Sequence, residues 1–439
     1  MIPVTFLLNL VKVENMHSEV VRSSDSTGPW YRDITASQWR VLVAAWGVWV
    51  NDALDFLAIT FVLGDIARTF GVALDTASLL LLATYGVRWI GGLAFGGLSD
   101  RIGRKIPLLI TLTWFTAGAV ATGLSWNFLS LAVFRLLLGF GMAPGFSLGA
   151  AMVAESWPER HRAIGIGILD TGWGVGAIGA ALAYEFIYPS FGWRGMFFVG
   201  LPPALLLALF IIFFVPESAA WKEGRASSNT NASNHPVRRL FKRYPGRVAY
   251  LSMLMFVLCF GSWPFQALLP TYLKTLDLPA SVVSAIAMAS ATGQIFGFVA
   301  SGFIAERLGR RLAISLMIGV GSACVTGVVL SAHSPAIALV FSFLSGFFLV
   351  GSSGIWGTIL TENLPRDVRA SGVGFLYNFG VIGGGPAPFI VLSTINRLSF
   401  SMALGIIMFT IFAALAGMVI LRFARETKGL DLSQIDREA

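Results

Sequence analysis

Five charged residues fall well inside long apolar runs, away from their ends: Asp52, Asp55, Arg88, Arg135 and Asp170. A charge at lipid depth costs about 2.5–3.5 kcal/mol on insertion scales, so each of these residues asks for a task. Asp52 and Asp55 are three apart and share one helix face. Two carboxyls that close in a low dielectric do not easily stay ionised together, so one can carry a proton. The competing reading is a structural partnership with a basic residue. Arg88 offers a planar, permanently charged fork that can grip a carboxylate through two hydrogen bonds. It can equally be locked in an ion pair with an acid of the first apolar run. Arg135 can likewise pair with Asp52 or Asp55, and the motif that it opens, taken up below, resembles one that implies a part in proton coupling. Asp170 lies on a glycine-rich face with Gly172, Gly174 and Gly176, where it can take up a proton or hold an interhelical hydrogen bond.

Aromatic and amide side chains recur in the same runs. Trp173, Trp263, Phe265, Gln266, Trp356, Tyr377 and Asn378 are candidate pocket walls, a lining that suits a polar ring or small organic acid. Each can also be ordinary helix packing. Pro264 and Pro270 should kink their helix. His17, His161, His235 and His333 fall between the apolar runs, which removes histidine as a proton carrier at mid-membrane depth. Cys259 and Cys324 read as small buried hydrophobes. There is no metal-ligand spacing, no nucleophile–base pair and no phosphate loop, so neither a metal, a cofactor nor an enzyme activity is expected.

The elements that must position these residues are membrane helices. The 439-residue chain is 56% hydrophobic and 12% charged, with a mean hydropathy of +0.75, where soluble domains carry about 25% charged residues. Apolar runs of the roughly 20 residues needed to cross a bilayer recur along its length. They fall at 41–63, 77–98, 106–125, 128–153, 163–187 and 195–215, and again at 249–273, 281–304, 312–331, 335–360, 370–393 and 400–421. The expected organisation is a cytoplasmic segment 1–40, a six-helix half 41–215, a linker 216–248, a second six-helix half 249–421 and a tail 422–439. Within the linker, 226–236 is Ser/Asn-rich and reads as flexible. Residues 2–11 form an apolar run too short to span, and Met16 is the alternative start.

Charge placement sets the orientation. With both termini cytoplasmic, the outer loops hold only Arg68, Arg194, Lys274 and Arg397, and Arg88 and Arg135 lie within helices. The rest of the 31 basic residues fall on the inner side. This bias also accounts for the formal charge of +8 without a nucleic-acid partner. The expected partners are a small-molecule substrate, a proton and the lipid bilayer, with the chain acting as a monomer in the inner (plasma) membrane.

Three motifs occur twice. Gly97-Leu-Ser-Asp100-Arg101-Ile-Gly103-Arg104-Lys105 follows the second run, and Ser301-Gly-Phe-Ile-Ala-Glu306-Arg307-Leu-Gly309-Arg310-Arg311 follows the eighth. Glu155-Ser-Trp-Pro158 with Arg162 follows the fourth, and Glu362-Asn-Leu-Pro365 with Arg369 follows the tenth. Pro216-Glu217-Ser218 and Arg425-Glu426-Thr427 close each half. The repeats imply two halves of like topology related by an axis along the membrane normal. Gly103 permits a sharp turn, and Arg101, Arg104 and Lys105 suit an anionic leaflet. Such a cluster can latch the halves in one state and release them in another. Its candidate gate residues are Gly97, Asp100, Arg101, Gly103, Arg104, Lys105, Glu155, Arg162, Glu306, Arg307, Arg310, Glu362 and Arg369.

The first loop resembles the signature G-x-x-x-D-R-x-G-R-K of the major facilitator superfamily, and the second its degenerate copy. The resemblance covers essentially everything after residue 30. It implies an all-α integral membrane protein of twelve transmembrane helices, two six-helix halves with pseudo-twofold symmetry, and alternating access to a central site. Arg135-Leu-Leu-Leu-Gly139-Phe-Gly141 looks like the fourth-helix motif of proton-driven facilitators. Further stretches resemble the bacterial sialic acid:proton symporters and their carboxylate-transporting relatives: Pro29-Trp30-Tyr31-Arg32, Asp52-Ala-Leu-Asp55-Phe56, Arg88-Trp89-Ile-Gly91-Gly92, Ser262-Trp263-Pro264-Phe265-Gln266 through Lys274, and Gly374-Phe-Leu-Tyr377-Asn378. That branch implies proton-coupled uptake of a small organic acid, with sialic acid as the named favourite. Other metabolites, or efflux of amphipathic compounds, are the alternatives. The branch's fourth helix usually reads G-M-A-G-E-Y. Here it is Gly141-Met142-Ala143-Pro144-Gly145-Phe146, and an acid appears instead at Asp170. One carboxylate is lost and another gained.

Overall fold

The computed structural model describes residues 30–158, 161–218, 236–364 and 369–428. Residues 1–29 and 429–439 of the expected terminal segments and most of the 226–236 linker, with His17, His235 and Pro365, lie outside these residues. So do the side chains of Asp100, Arg101 and Arg369, together with Gly97.

The described residues form twelve helical passes. They are α1 (Ala36–Phe70), α2 (Leu74–Gly86 and Arg88–Ile102), α3 (Lys105–Gly123), α4 (Phe128–Met142 and Pro144–Ser156), α5 (Arg162–Phe186), α6 (Leu201–Phe214), α7 (Pro245–Lys274), α8 (Ala280–Leu308), α9 (Arg310–Leu330), α10 (Pro335–Ser345 through Trp356–Glu362), α11 (Arg369–Gly384 and Ala387–Leu398) and α12 (Met402–Arg422). Ten are long and apolar enough to cross a membrane unaided. The other two passes are the interrupted α2 and the shorter α6. The sixth apolar run starts later than expected because residues 196–200 form turns before Pro202 and Pro203 enter the first turn of the helix. Phe213, Phe412 and Leu206 are at least 68% exposed, an outward face that suits lipid and not water.

At Pro264 and Pro270, where a kink is expected, α7 continues unbroken through both prolines. Four other helices are interrupted: α2 at Val87, and α4, α10 and α11 as follows. In α4 Pro144 opens the second segment, since proline has no N–H to donate to Phe140. In α10 a π-turn at Gly346–Val350 and a 3₁₀ turn at Gly351–Ile355 break the α-helical register. Pro386 separates the two parts of α11.

The twofold repeat is visible in how the helices cross. A Cβ on Gly91 of α2 would lie 2.0 Å from the Phe140 carbonyl oxygen of α4, and one on Gly139 of α4 would lie 2.0 Å from that of Thr84 on α2. The second half repeats the reciprocal contact: Gly293 of α8 against the Phe343 carbonyl (2.0 Å), and Gly346 of α10 against that of Ser290 (1.9 Å). Such backbone approach is what small residues permit in membrane bundles. Gly346→Ala is expected to push α8 and α10 apart and destabilise the protein by about 1–3 kcal/mol. Gly167→Ala, with nothing within 4 Å of its Cβ, should leave the unfolding midpoint in detergent unchanged. Equal midpoints for the two variants would contradict this packing.

Candidate functional site

Where the two halves meet, α1, α2, α4 and α5 face α7, α8, α10 and α11 across a central cavity. It encloses about 820 Å³ of empty space, its open mouth included. Arg88, Asp170, Trp173, Trp263, Gln266, Trp356, Tyr377 and Asn378 all line it. Phe265 does not. One residue along α7 turns it away from the cavity, and it lines a smaller space with Leu57, Thr60 and Gln294. Trp49, Tyr85, Phe146, Ser147, Cys259, Ser262, Phe298 and Ser353 also line the cavity, although sequence reasoning passed over them. A signal was present: Tyr85 and Trp49 stand one helical turn before Arg88 and Asp52, on the same faces. The aromatic wall is continuous. Trp49 stacks near Phe146 (5.1 Å between centroids) and Trp173 (5.0 Å), Phe146 meets Tyr377 (5.6 Å), and Trp263 bridges Trp173 (5.6 Å) and Tyr85 (4.6 Å).

Behind that wall the charges are arranged unequally. Asp52 is fully buried, and its Oδ2 accepts from Arg88 Nη2 at 3.1 Å. The same Nη2 donates to the Met142 carbonyl at 3.2 Å, at the end of the first α4 segment, where the break leaves helix carbonyls without their usual donors. Among the described residues no partner is found for the other Arg88 donors, and Arg88 lines the cavity. Arg88 thus combines an ion pair to α1 with a place on the cavity wall.

Asp55 and Arg135 are fully buried too. Arg135 Nε donates to Thr84 Oγ1 at 3.0 Å, while both of its Nη groups and both Asp55 oxygens lack hydrogen-bond partners among the described residues. Asp55 packs against Gly200, where a Cβ would lie 2.2 Å from Oδ1, and it interacts electrostatically with both Asp52 and Arg135. A buried carboxyl with no partner can change protonation without breaking a hydrogen bond. The described residues contain no cluster able to hold a metal ion.

The repeated loops form two matching networks. In the first half Arg104 Nη2 pairs with Glu155 at 3.0 Å, Ser218 Oγ donates to Glu155 at 2.6 Å, and Glu217 accepts the backbone N–H of Arg104 at 2.6 Å. In the second, Arg310 grips Glu362 with two donors at 2.9 and 3.2 Å, Thr427 donates to Glu362, and Glu426 accepts the N–H of Arg310 at 2.9 Å. Gly103 (φ +100°) and Gly309 (φ +88°) let the turn close over the two glutamates. Lys105 Nζ donates to the Ile212 carbonyl (2.8 Å), Arg162 to that of Trp157 (3.4 Å), and Lys428 to that of Arg307 (2.8 Å), while Glu306 lies near Arg310. These described contacts tie helices together within each half.

Burial pushes the Glu426 carboxyl up, but the backbone N–H groups of Arg310, Lys428, Arg311 and Thr427 outweigh it and hold Glu426 below the ordinary value of 4.5. A depressed folded value stabilises the protein fully above the ordinary value, and the contribution disappears as pH falls through the depressed one. Glu426→Gln should therefore lower the unfolding midpoint at pH 7, and the gap from the parent should close on acidification below about 4. A gap independent of pH would contradict the network.

Among the described residues, an ion pair and hydrogen bonds join the halves on the face opposite Trp30 and Lys428, the described ends of the chain. Lys274 of α7 reaches across to Asp65 of α1 (2.5 Å) and to the Phe61 carbonyl (3.2 Å), under the rings of Tyr184 and Tyr188. Thr271 donates to the Thr60 carbonyl at 3.0 Å, and Ser284 of α8 to that of Ala181 on α5 at 3.0 Å. Sequence reasoning read Lys274 only as an outer-loop charge. Lys274→Met should weaken this closure by about 1 kcal/mol, about fivefold in population. Alkylation of a cysteine placed at Thr60 by an impermeant maleimide should accelerate accordingly, and an unchanged rate would deny the latch.

Comparison with known proteins agrees with this architecture. The family model described as Major Facilitator Superfamily matches residues 43–388. Among curated relatives, the sialic acid transporter NanX of Escherichia coli (strain K12) is 29% identical over 398 residues, covering 89% of this chain and 95% of its own. A probable 4-methylmuconolactone transporter of Cupriavidus pinatubonensis is 29% identical over 413 residues, with 92% and 95% covered. A crystal structure of a D-xylose-proton symporter superposes with a TM-score of 0.72 at 18% identity, covering 90% of this chain and 99% of the other.

Proposed function

The chain belongs to the Major Facilitator Superfamily, is a membrane transporter and not an enzyme, and on that premise we propose that it imports a small ring-bearing organic acid together with a proton. The observation that carries this reading is Arg88. Its guanidinium lies on the cavity between the halves, half satisfied by Asp52 and the Met142 carbonyl, with its other donors free for a cargo carboxylate. The relatives named for sialic acid and for a muconolactone support a carboxylate, and the aromatic wall supports a ring.

Electrostatics link the anion to the proton. Arg88 and Asp52 together are neutral. A cargo anion arriving at Arg88 would leave a net negative charge in a low-dielectric space, which is strongly unfavourable unless a proton enters as well. The Asp52–Asp55 pair receives it, with Arg135 near enough to tune the exchange. Asp170 is the other protonatable group on the cavity, and the two loop networks hold each half rigid while the halves rock. The protein sits in the inner membrane with both termini cytoplasmic, as the basic-residue bias favours.

Uptake into proteoliposomes tests this. Sialate and aromatic acids should accumulate under an inward proton gradient, and collapsing the gradient should end accumulation. Uptake of such acids that ignores the gradient would refute proton coupling.

A further inference from the structure

The cavity holds a second charge that Arg88 does not explain. Asp170 lines it from α5, and among the described residues no side chain or backbone group donates a hydrogen bond to it or forms an ion pair with it. Its position is fixed from both sides. One residue on, Thr171 accepts from Trp46 Nε1 of α1 at 3.1 Å. One turn on, the Trp173 ring packs at a tilt against Trp49, 5.0 Å between centroids. Asp170 thus flanks α1 at the level of Trp46 and Trp49, whereas Arg88 is tied to α1 at Asp52 and to α4 at Met142. Gly145 of α4 sits beside Asp52, where a Cβ would be 3.1 Å from Oδ2, and it brings no charge of its own to that side. The cavity therefore presents a cationic fork on the α2 side and an unpartnered carboxyl on the α5 side.

A bare carboxylate is a liability in a site for simple anions. It repels the cargo, and it loses its water when the cavity closes. Both costs reverse if the cargo brings a donor. A hydrogen bond to a charged acceptor in a dry pocket is among the stronger discriminators available to a binding site. The proton traffic of the preceding section does not need Asp170, because Asp52 and Asp55 supply it.

We infer that Asp170 is a specificity residue that receives a hydrogen-bond donor of the cargo, so that the site selects planar acids carrying a hydroxyl, or better a cationic amine, opposite the carboxylate. This rests on the organic-acid reading above and narrows it.

Three para-substituted benzoates of similar size separate the ideas: 4-ethylbenzoate, 4-hydroxybenzoate and 4-(aminomethyl)benzoate. Binding is read from quenching of the cavity tryptophans in purified full-length protein, and transport from uptake into proteoliposomes. The parent protein should bind the aminomethyl acid at least about tenfold more tightly than the ethyl acid, with the hydroxy acid between them. In Asp170→Ala and Asp170→Asn the three affinities should converge to within about twofold to threefold. Equal affinities in the parent protein would overturn the inference without any variant. So would a preference that survives Asp170→Ala, or loss of proton coupling for every acid in Asp170→Asn, which would make Asp170 a proton carrier. Failure of all three acids and of sialate to bind would overturn the organic-acid reading as well.

Discussion

Asp55→Asn is expected to abolish uphill accumulation of cargo while leaving exchange of cargo across the membrane largely intact. The substitution is nearly isosteric and breaks no hydrogen bond, since neither Asp55 oxygen has a partner among the described residues. Its main effect is to remove a protonatable group. With one proton coupled to one anion, each unit of pH gradient supports up to about a tenfold concentration ratio. The variant should fall to a ratio of about one, with counterflow of labelled cargo still observed. Asp52→Asn should behave differently. It withdraws the partner of a buried arginine, a loss that costs about 3–5 kcal/mol where a buried pair is broken. Lower yield and thermal stability should therefore accompany any transport defect. If Asp55→Asn accumulates cargo as the parent does, Asp55 has no part in coupling.

These two carboxylates show what the sequence could and could not reveal. Their spacing put them on one face, and the membrane setting made each of them costly, so both were visible as candidates. Their different surroundings were not visible, because those depend on residues brought in from distant parts of the chain: Arg88 for Asp52, Gly200 for Asp55. The twelve passes and the duplication were legible because hydropathy and loop motifs are local signals. Local signals also fell short: α7 runs unbroken through Pro264 and Pro270, and the interruptions fall in α2, α4, α10 and α11. Phe265 illustrates the same limit. An aromatic beside Trp263 and Gln266 looks like pocket wall, but successive helical residues point about 100° apart, and only packing decides which of them meets the cavity.

Arg88→Lys should reduce uptake of every carboxylate by two orders of magnitude or more, and its cause can be told apart from a folding defect. The arginine uses one Nη2 for Asp52 and the Met142 carbonyl. Its planar fork can therefore offer a cargo carboxylate a pair of donors without first abandoning α1. A lysine ammonium is a single point of charge, and satisfying Asp52 draws it away from the cavity. Loss of a charge-assisted bidentate contact in a closed site is worth about 3 kcal/mol or more, about a hundredfold in affinity. Because lysine still answers the Asp52 charge, stability should fall much less than in Arg88→Met, which strands that carboxylate. The two variants thus separate binding from folding: Lys should fold and fail to bind, and Met should do neither well. The double variant Arg88→Met with Asp52→Asn removes both charges and should recover stability relative to Arg88→Met alone, since a buried pair replaced as a pair costs less than one left half-made. It should not recover transport. Recovered carboxylate uptake in that double variant would mean that the cargo's charge is held elsewhere in the cavity.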